Sequence, residues 1–318
     1  MTKPGFLSLF EVIHQRIKGN GMYDICCVGH ITLDRVVTEH QVTHMAGGTS
    51  FYFSNAISKM NLRYLLVTVL AKDELHFISD LREQGVEVVV AAMSPYSVYF
   101  ENDYTLGWDH RKQQVLQLSD PFHVDQLNGV DARLFHLGPL LADDISLEII
   151  EVLAKRGKIS LDAQGYLRKV KDKKVLSADW LDKKEALRHV HILKANESEM
   201  HVLTGCQDPK EAAIKLFEWG VREVVITLGK KGSLIYNGLE FYNIPAFTPS
   251  NAVVDATGCG DTYMAGYLFQ RTRNTEIQFS GEFAAAMATL KIEAYGPFSG
   301  TEKEVLDLWS DSERKAFD

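Results

Sequence analysis

The stretch from Asn251 to Arg271 reads NAVVDATGCGDTYMAGYLFQR. Gly258, Cys259 and Gly260 sit directly before Asp261, and an apolar run follows. Two glycines allow a tight turn, and the residues beyond them suit a buried helix. A helix N-terminus leaves backbone N–H groups unpaired and carries a positive partial charge, so it attracts anions. A carboxylate at that point needs its own explanation. One reading is phosphoryl transfer, in which the turn holds phosphate charge while Asp261 takes the proton of a hydroxyl acceptor as general base. The other is an ordinary aspartate at a helix start, where the dipole favours it. Taken alone, the motif allows both.

Upstream of this stretch the chain alternates two kinds of segment. YDICCVGHI, RYLLVTVLA, VEVVVAAM, ARLFHLGPL, GKISLDAQG, VHILKANESE and REVVITLG are short apolar runs rich in β-branched residues. Between several of them lie helical patterns, such as GGTSFYFSNAISKM, DELHFISDLREQG, DISLEIIEVLAKRG and DPKEAAIKLFEWG. That alternation predicts an α/β fold, a mostly parallel sheet with helices on both faces. In such sheets ligands bind beyond the carboxyl ends of the strands. There the sequence places Gly29, His30 and Asp34, then Gly138 and Pro139, Asp162 and Gln164, Asn196 and Glu199, and Gly229 and Gly232.

Two segments break the pattern. Ser97 to Asp120 alternates polar and apolar residues about a TLGW turn, and LDRVVTEHQVTHMAGG predicts a second short strand pair. Together they predict a small β sheet standing off the main one. Residues 6–18 predict an amphipathic helix, and residues 1–22 form an N-terminal appendage to a single domain over 23–318. The segments standing off as a lid cover about 35–47 and 97–118.

With 318 residues, 46% of them hydrophobic, the chain can bury a sizeable core. A net charge of -8 argues against a nucleic-acid partner. No apolar run is long enough to span a bilayer. The N-terminus lacks the pattern of a signal peptide, and the four cysteines show no metal or disulfide spacing, so a reducing, cytoplasmic location is expected. Cys26 and Cys27, adjacent on one strand, should point to opposite faces.

DATGCGDTYMAGYL resembles the C-terminal signature of the ribokinase-like, or PfkB, carbohydrate kinases. GGTSFYFSNA resembles their glycine-pair motif, ANESE their N-x-x-E motif, and TLGKKGSLIY their T-x-G-x-x-G turn. Order and spacing agree over about Tyr23 to Gly300. LDAQGYLR and FHLGPL further resemble a branch that includes inositol kinases. The resemblance implies a three-layer, Rossmann-like ribokinase fold with a β lid, and an ATP- and Mg²⁺-dependent kinase acting on a small sugar or polyol. The alternatives are a nucleoside kinase of the same fold and a non-catalytic sugar-binding sensor, against which the intact Asp261 loop argues. The bulky FYF after the glycine pair departs from common ribose and fructose kinases and implies a different pocket wall.

The resemblance also assigns residues. Asp261 is the base, and the amides of Gly258, Cys259 and Gly260 form an anion hole. Asn196 and Glu199 organise Mg²⁺ through water, although their spacing is equally that of a capping box. Thr227, Gly229 and Gly232 line the nucleotide phosphates, Gly232 equally serving a plain hairpin. Ala285, Ala288 and Thr289 fall in the adenine region, where an ordinary core helix explains them as well. Asp255 and Thr257 match positions that bind a monovalent cation, K⁺, in some members; loop hydrogen bonding is the alternative. Asp34, Gly47 and Gly48 face the substrate, as do Phe100, Asn102, Tyr104 and Arg111 from the lid, unless they belong to a solvated strand face. Gln164 and Arg168 approach the substrate in the inositol-kinase branch. Alternating apolar residues on the lid (Val98, Phe100, Tyr104, Leu106 and Trp108, with Val115 and Leu118), together with the resemblance, predict a homodimer through the lid.

Overall fold

The computed structural model describes residues 21–103, 105 and 112–317, with side chains described as far as Asp311. The helix expected at residues 6–18 and the lid positions Tyr104, Leu106, Trp108 and Arg111 lie outside the described residues.

Nine strands form the main sheet: β1 (Tyr23–Val28), β4 (Tyr64–Leu70), β5 (Glu87–Met93), β8 (Ala132–Leu137), β9 (Lys158–Asp162), β12 (Ile192–Asn196), β13 (Glu223–Thr227), β14 (Ser233–Tyr236) and β15 (Phe241–Ile244). Their order is β15-β14-β13-β12-β9-β8-β1-β4-β5. The seven strands from β13 to β5 pair in parallel, and β14 and β15 add an antiparallel edge. Parallel strands need crossovers, and helices make most of them. They are α1 (Thr49–Ile57), α2 (Leu75–Glu83), α3 (Leu147–Ala154), α4 (Lys183–Leu187), α5 (Glu197–Thr204) and α6 (Pro209–Glu218). Three more close the chain: α7 (Cys259–Thr272), α8 (Ile277–Ile292) and α9 (Glu302–Phe317).

The sheet divides the interior into two apolar layers. One packs Ile149 and Leu153 of α3, Met200 and Leu203 of α5, and Ala213 and Leu216 of α6. The other packs Phe53 of α1, Ile78 and Leu81 of α2, Tyr267 and Phe269 of α7, and Phe283 and Met287 of α8. Cys26 belongs to the first layer and Cys27 to the second, as strand alternation requires. The fold is therefore the three-layer α/β arrangement expected.

A second sheet has the order β10-β11-β7-β6-β2-β3. Its strands are β2 (Thr32–Val37), β3 (Val42–Gly47), β6 (Val98–Asp103), β7 (Lys112–Gln117), β10 (Arg168–Lys171) and β11 (Lys174–Ser177). The first four were expected from the sequence; the hairpin of β10 and β11 was not. Val98, Phe100 and Val115 are buried against Leu140 and Leu141, with Val170 and Val175 packed alongside. The opposite face carries the Arg35–Glu101 ion pair and His44 against Tyr99. The alternate apolar positions of β6 therefore turn inward, toward the body of the molecule.

Candidate active site

Strands β1, β8, β9, β12 and β13 are parallel neighbours, so their carboxyl ends open on one side of the sheet. A cleft of about 1630 Å³ runs there, roofed on one flank by the second sheet. Asp34, Gly48, Phe100, Asn102, Gln164, Arg168, Asn196, Thr227, Gly229, Gly232, Asp255, Thr257, Gly258 to Asp261, Ala285, Ala288 and Thr289 all line it. Gly47 and Glu199 stand just behind the wall.

At the centre is the start of α7. Gly258 is its N-cap and adopts a left-handed conformation, φ 72°. A side chain at Gly258 would be strained, and its Cβ would land inside the ring of Tyr52 on α1. The glycine thus lets the turn lie flat on that ring. Asp261 occupies the first turn of α7. Beneath Gly260 lies the ammonium of Lys194, which is buried on β12. Lys194 Nζ is 3.0 Å from Asp162 Oδ2 and 3.8 Å from Glu199 Oε2. Asp162 and Lys194 are register partners on the neighbouring strands β9 and β12.

This environment acts on Asp261. Burial pushes its carboxyl up to about 7, and the Asp162 carboxylate pushes the same way. Lys194 and a hydrogen bond from Thr49 oppose them. A carboxyl that titrates near neutrality, at an amide-rich helix start, can accept a proton from an alcohol. Cys259 has no comparable role as a nucleophile: burial raises its thiol to about 11.

Asn196 caps α5, accepting a hydrogen bond from the Glu199 amide at 2.9 Å. Glu199 returns the bond, accepting from the Asn196 amide at 2.8 Å and from its Nδ2 at 2.7 Å. Gln164 Nε2 also donates to Glu199, at 3.3 Å. Both carboxylate oxygens of Glu199 are therefore engaged within the protein, and no cluster of three or more His, Cys, Asp or Glu side chains with metal-binding geometry occurs among the described residues. Such a donor set fits Mg²⁺ held by phosphate oxygens and waters, with Asn196 and Glu199 outside its inner coordination.

At the far end of the cleft, Thr227 closes β13 and Gly229 follows with open space beside its Cα. Gly232 turns the chain into β14, close against Ile244 of β15. Ala285 and Ala288 face the cleft from α8, joined by Phe247, Val253, Ile292 and Tyr295. The Thr289 hydroxyl donates to the Ala285 carbonyl of its own helix at 2.9 Å.

At the near end, Gly47 on β3 lies against the Asp34 carboxylate, in space a Cβ would occupy. Thr32 Oγ1 donates to Asp34 Oδ1 at 2.6 Å. Asn102 is buried and accepts from Gln113 Nε2 at 2.9 Å. Phe100 belongs both to the cleft wall and to the apolar cluster of the second sheet. Arg168 enters from β10.

Asp255 and Thr257 form the loop leading into the Gly258 turn. Thr257 N donates to Asp255 Oδ1 at 2.8 Å. The other carboxylate oxygen of Asp255 meets the ammonium of Lys291 at 3.1 Å. Sequence reasoning missed Lys291, Lys194, Thr49 and Gln113. The two lysines did leave a signal, since each interrupts an otherwise apolar segment.

The chain matches the description "pfkB family carbohydrate kinase" over residues 22–304. It belongs to that family. A cytidine kinase of Thermococcus kodakarensis is 25% identical over 288 residues, 88% of this chain and all of that one. Among solved structures, a pyrophosphate-dependent kinase of the ribokinase family, complexed with a pyrophosphate analogue and myo-inositol, superposes with a TM-score of 0.78. That pair is 25% identical and covers 89% of this chain and 99% of the other. Arabidopsis thaliana ribokinase, complexed with ribose and ATP, has the same fold, with a TM-score of 0.71, 20% identity, and 91% and 99% of the two chains covered. The protein is thus a kinase of the carbohydrate and nucleoside kinase family, with a ribokinase fold.

Proposed function

We propose that the enzyme transfers the γ-phosphoryl group of ATP to a hydroxyl of a small polyol or sugar, with Asp261 as general base. The observation that carries this reading is the placement of Asp261 in the first turn of α7, directly after the Gly258 to Gly260 turn and above Lys194. Asp261 takes the hydroxyl proton as the oxygen attacks phosphorus in line with the leaving group. The amides of Gly258, Cys259 and Gly260 hold the charge on the transferred oxygens. Asn196 and Glu199 would hold Mg²⁺ through its waters, and the ion would supply charge neutralisation at the phosphates. Thr227 and Gly229 border the phosphates, and Gly232 shapes the turn beside them.

The donor end supports ATP over pyrophosphate. Beyond Gly229 the cleft continues along Phe247, Val253, Ala285, Ala288, Ile292 and Tyr295, an apolar wall suited to a purine, which pyrophosphate does not have. The acceptor end supports a polyol. Asp34, Asn102, Gln113, Gln164 and Arg168 present acceptors and donors to hydroxyls. The likeness to the myo-inositol complex favours the same class. The second sheet acts as the lid, excluding water as a competing acceptor. Two copies pair through its outer, polar face, in a reducing cytoplasm where the four thiols stay unpaired.

The full-length likeness to a cytidine kinase favours a second reading, a nucleoside acceptor. Of the aromatic residues that could stack on a base, Tyr52 lines the cleft but is nearly covered beneath Gly258, Phe51 does not line it, and Trp108 lies outside the described residues. Coupled ADP release over a panel of inositols, sugars and nucleosides, with ATP or pyrophosphate as donor, tests both. Turnover with a polyol or sugar and ATP is expected. Turnover with nucleosides alone replaces this reading by the second, and phosphate transfer from pyrophosphate alone overturns the donor assignment.

A further inference from the structure

Lys291 is a charged side chain in a place that ordinary packing does not ask for. It lies on the last turn of α8, with its side chain fully buried. Burying an ammonium is costly unless every donor is met and the charge is balanced. Here three oxygens surround it. Nζ donates to the Asp255 carbonyl at 2.8 Å, to Asp255 Oδ2 at 3.1 Å and to the Ala294 carbonyl at 3.5 Å. Two of the three are backbone carbonyls from separate loops. An ordinary ion pair uses carboxylate oxygens; carbonyls with one carboxylate form the surroundings of a monovalent cation such as K⁺, whose size is close to that of an ammonium group.

The contacts continue toward the reacting centre. The carboxylate that meets Lys291 through Oδ2 accepts from the Thr257 amide through Oδ1. Thr257 immediately precedes Gly258, the N-cap of α7. Gly296 N also reaches Asp255 Oδ2, at 3.4 Å, and Val254 N donates to the Ile292 carbonyl at 2.8 Å. One ammonium thus fixes the Asp255 carboxylate, and that carboxylate fixes the loop that delivers the anion-hole amides.

We propose that Lys291 is a tethered monovalent cation: its ammonium occupies the place of a free K⁺ between the Asp255 and Ala294 loops and holds the anion hole in position, so the enzyme works without added monovalent cation. This rests on the reading of Gly258 to Asp261 as the transfer loop. Lys291 touches neither acceptor nor donor and acts through Asp255, as a positioning residue.

The test compares wild type, Lys291→Ala and Lys291→Met in K⁺, Na⁺, NH₄⁺ or choline chloride at equal ionic strength. Wild-type turnover should change by less than about twofold among the salts, since screening is held constant. Lys291→Ala should lose roughly 10²-fold in turnover, the scale for a displaced catalytic group, and recover about tenfold of it with K⁺ or NH₄⁺ but not with choline. Lys291→Met, which fills the space without charge, should show the loss and no recovery. Affinity for a non-hydrolysable ATP analogue, measured by calorimetry in the same salts, should show the same cation contrast without an acceptor, so failure of the polyol reading leaves this test intact. A wild-type enzyme that requires K⁺ overturns the proposal even if the variants do not fold. A folded Lys291→Ala protein that responds to no monovalent cation overturns it as well.

Discussion

Asp261 holds its carboxylate where burial and Asp162 disfavour charge, and where Lys194 and Thr49 favour it. The balance lifts it from the usual carboxylate range to about 7. As a base it works only when ionised, so kcat/KM should climb with pH below about 7 and level off above it. Stability runs the other way. The unfolded chain releases this proton near pH 4, whereas the folded chain keeps it up to about 7, so the group lowers stability as pH rises through that window. Asp261→Asn should therefore cut turnover by roughly 10²-fold or more, yet melt above the wild type at pH 8 and alongside it at pH 4. A variant with undiminished turnover on a verified acceptor would end the base assignment. The motif around Asp261 was legible because glycines and an aspartate in fixed order leave few alternatives. Its electrostatic partners were not. Lys194 and Asp162 lie 32 residues apart and meet only because β9 and β12 pair in the register that sets them side by side.

Among the elements, the parallel strands were readable from β-branched runs alone, since strands buried on both faces have little choice of residue. The hairpin of β10 and β11 escaped for an equally physical reason. Its sequence, RKVKDKKVLS, is rich in lysine, and only Val170, Val175 and Leu176 are apolar, too few to show a strand period. Its turn uses Asp172 and Lys173 at positive φ, 50° and 63°, with none of the glycine that usually marks such a turn. The hairpin nevertheless extends the second sheet and brings Arg168 to the acceptor end of the cleft. Arg168→Met should raise KM for the acceptor roughly tenfold or more, the range for a lost charged hydrogen bond, and leave KM for ATP unchanged. An unchanged acceptor KM would remove Arg168 from substrate recognition.

For the whole molecule, the inward turn of Phe100 and Val115 changes the nature of the expected pairing between copies. The apolar side of the second sheet is already covered by Leu140 and Leu141. The face left for a partner carries Arg35, Glu101, His44 and Tyr99. A dimer built there is held by polar contacts, which salt screens at the surface. Sedimentation at micromolar concentration should show dimers at low salt that dissociate as salt rises. A monomer under all conditions, with normal turnover, would remove the dimer from the proposed function.

The adjacent cysteines of β1 have a use of a different kind. Cys26 is sealed into one apolar layer and Cys27 into the other, both at 0% exposure. Neither thiol can meet an alkylating reagent until its own layer parts from the sheet. Burial also holds both thiols protonated, and so unreactive, while the layers are closed. The native chain therefore carries two built-in chemical clocks on neighbouring residues. Labelling rates resolved by mass spectrometry would time the opening of each side of the sheet separately, with no engineered probe.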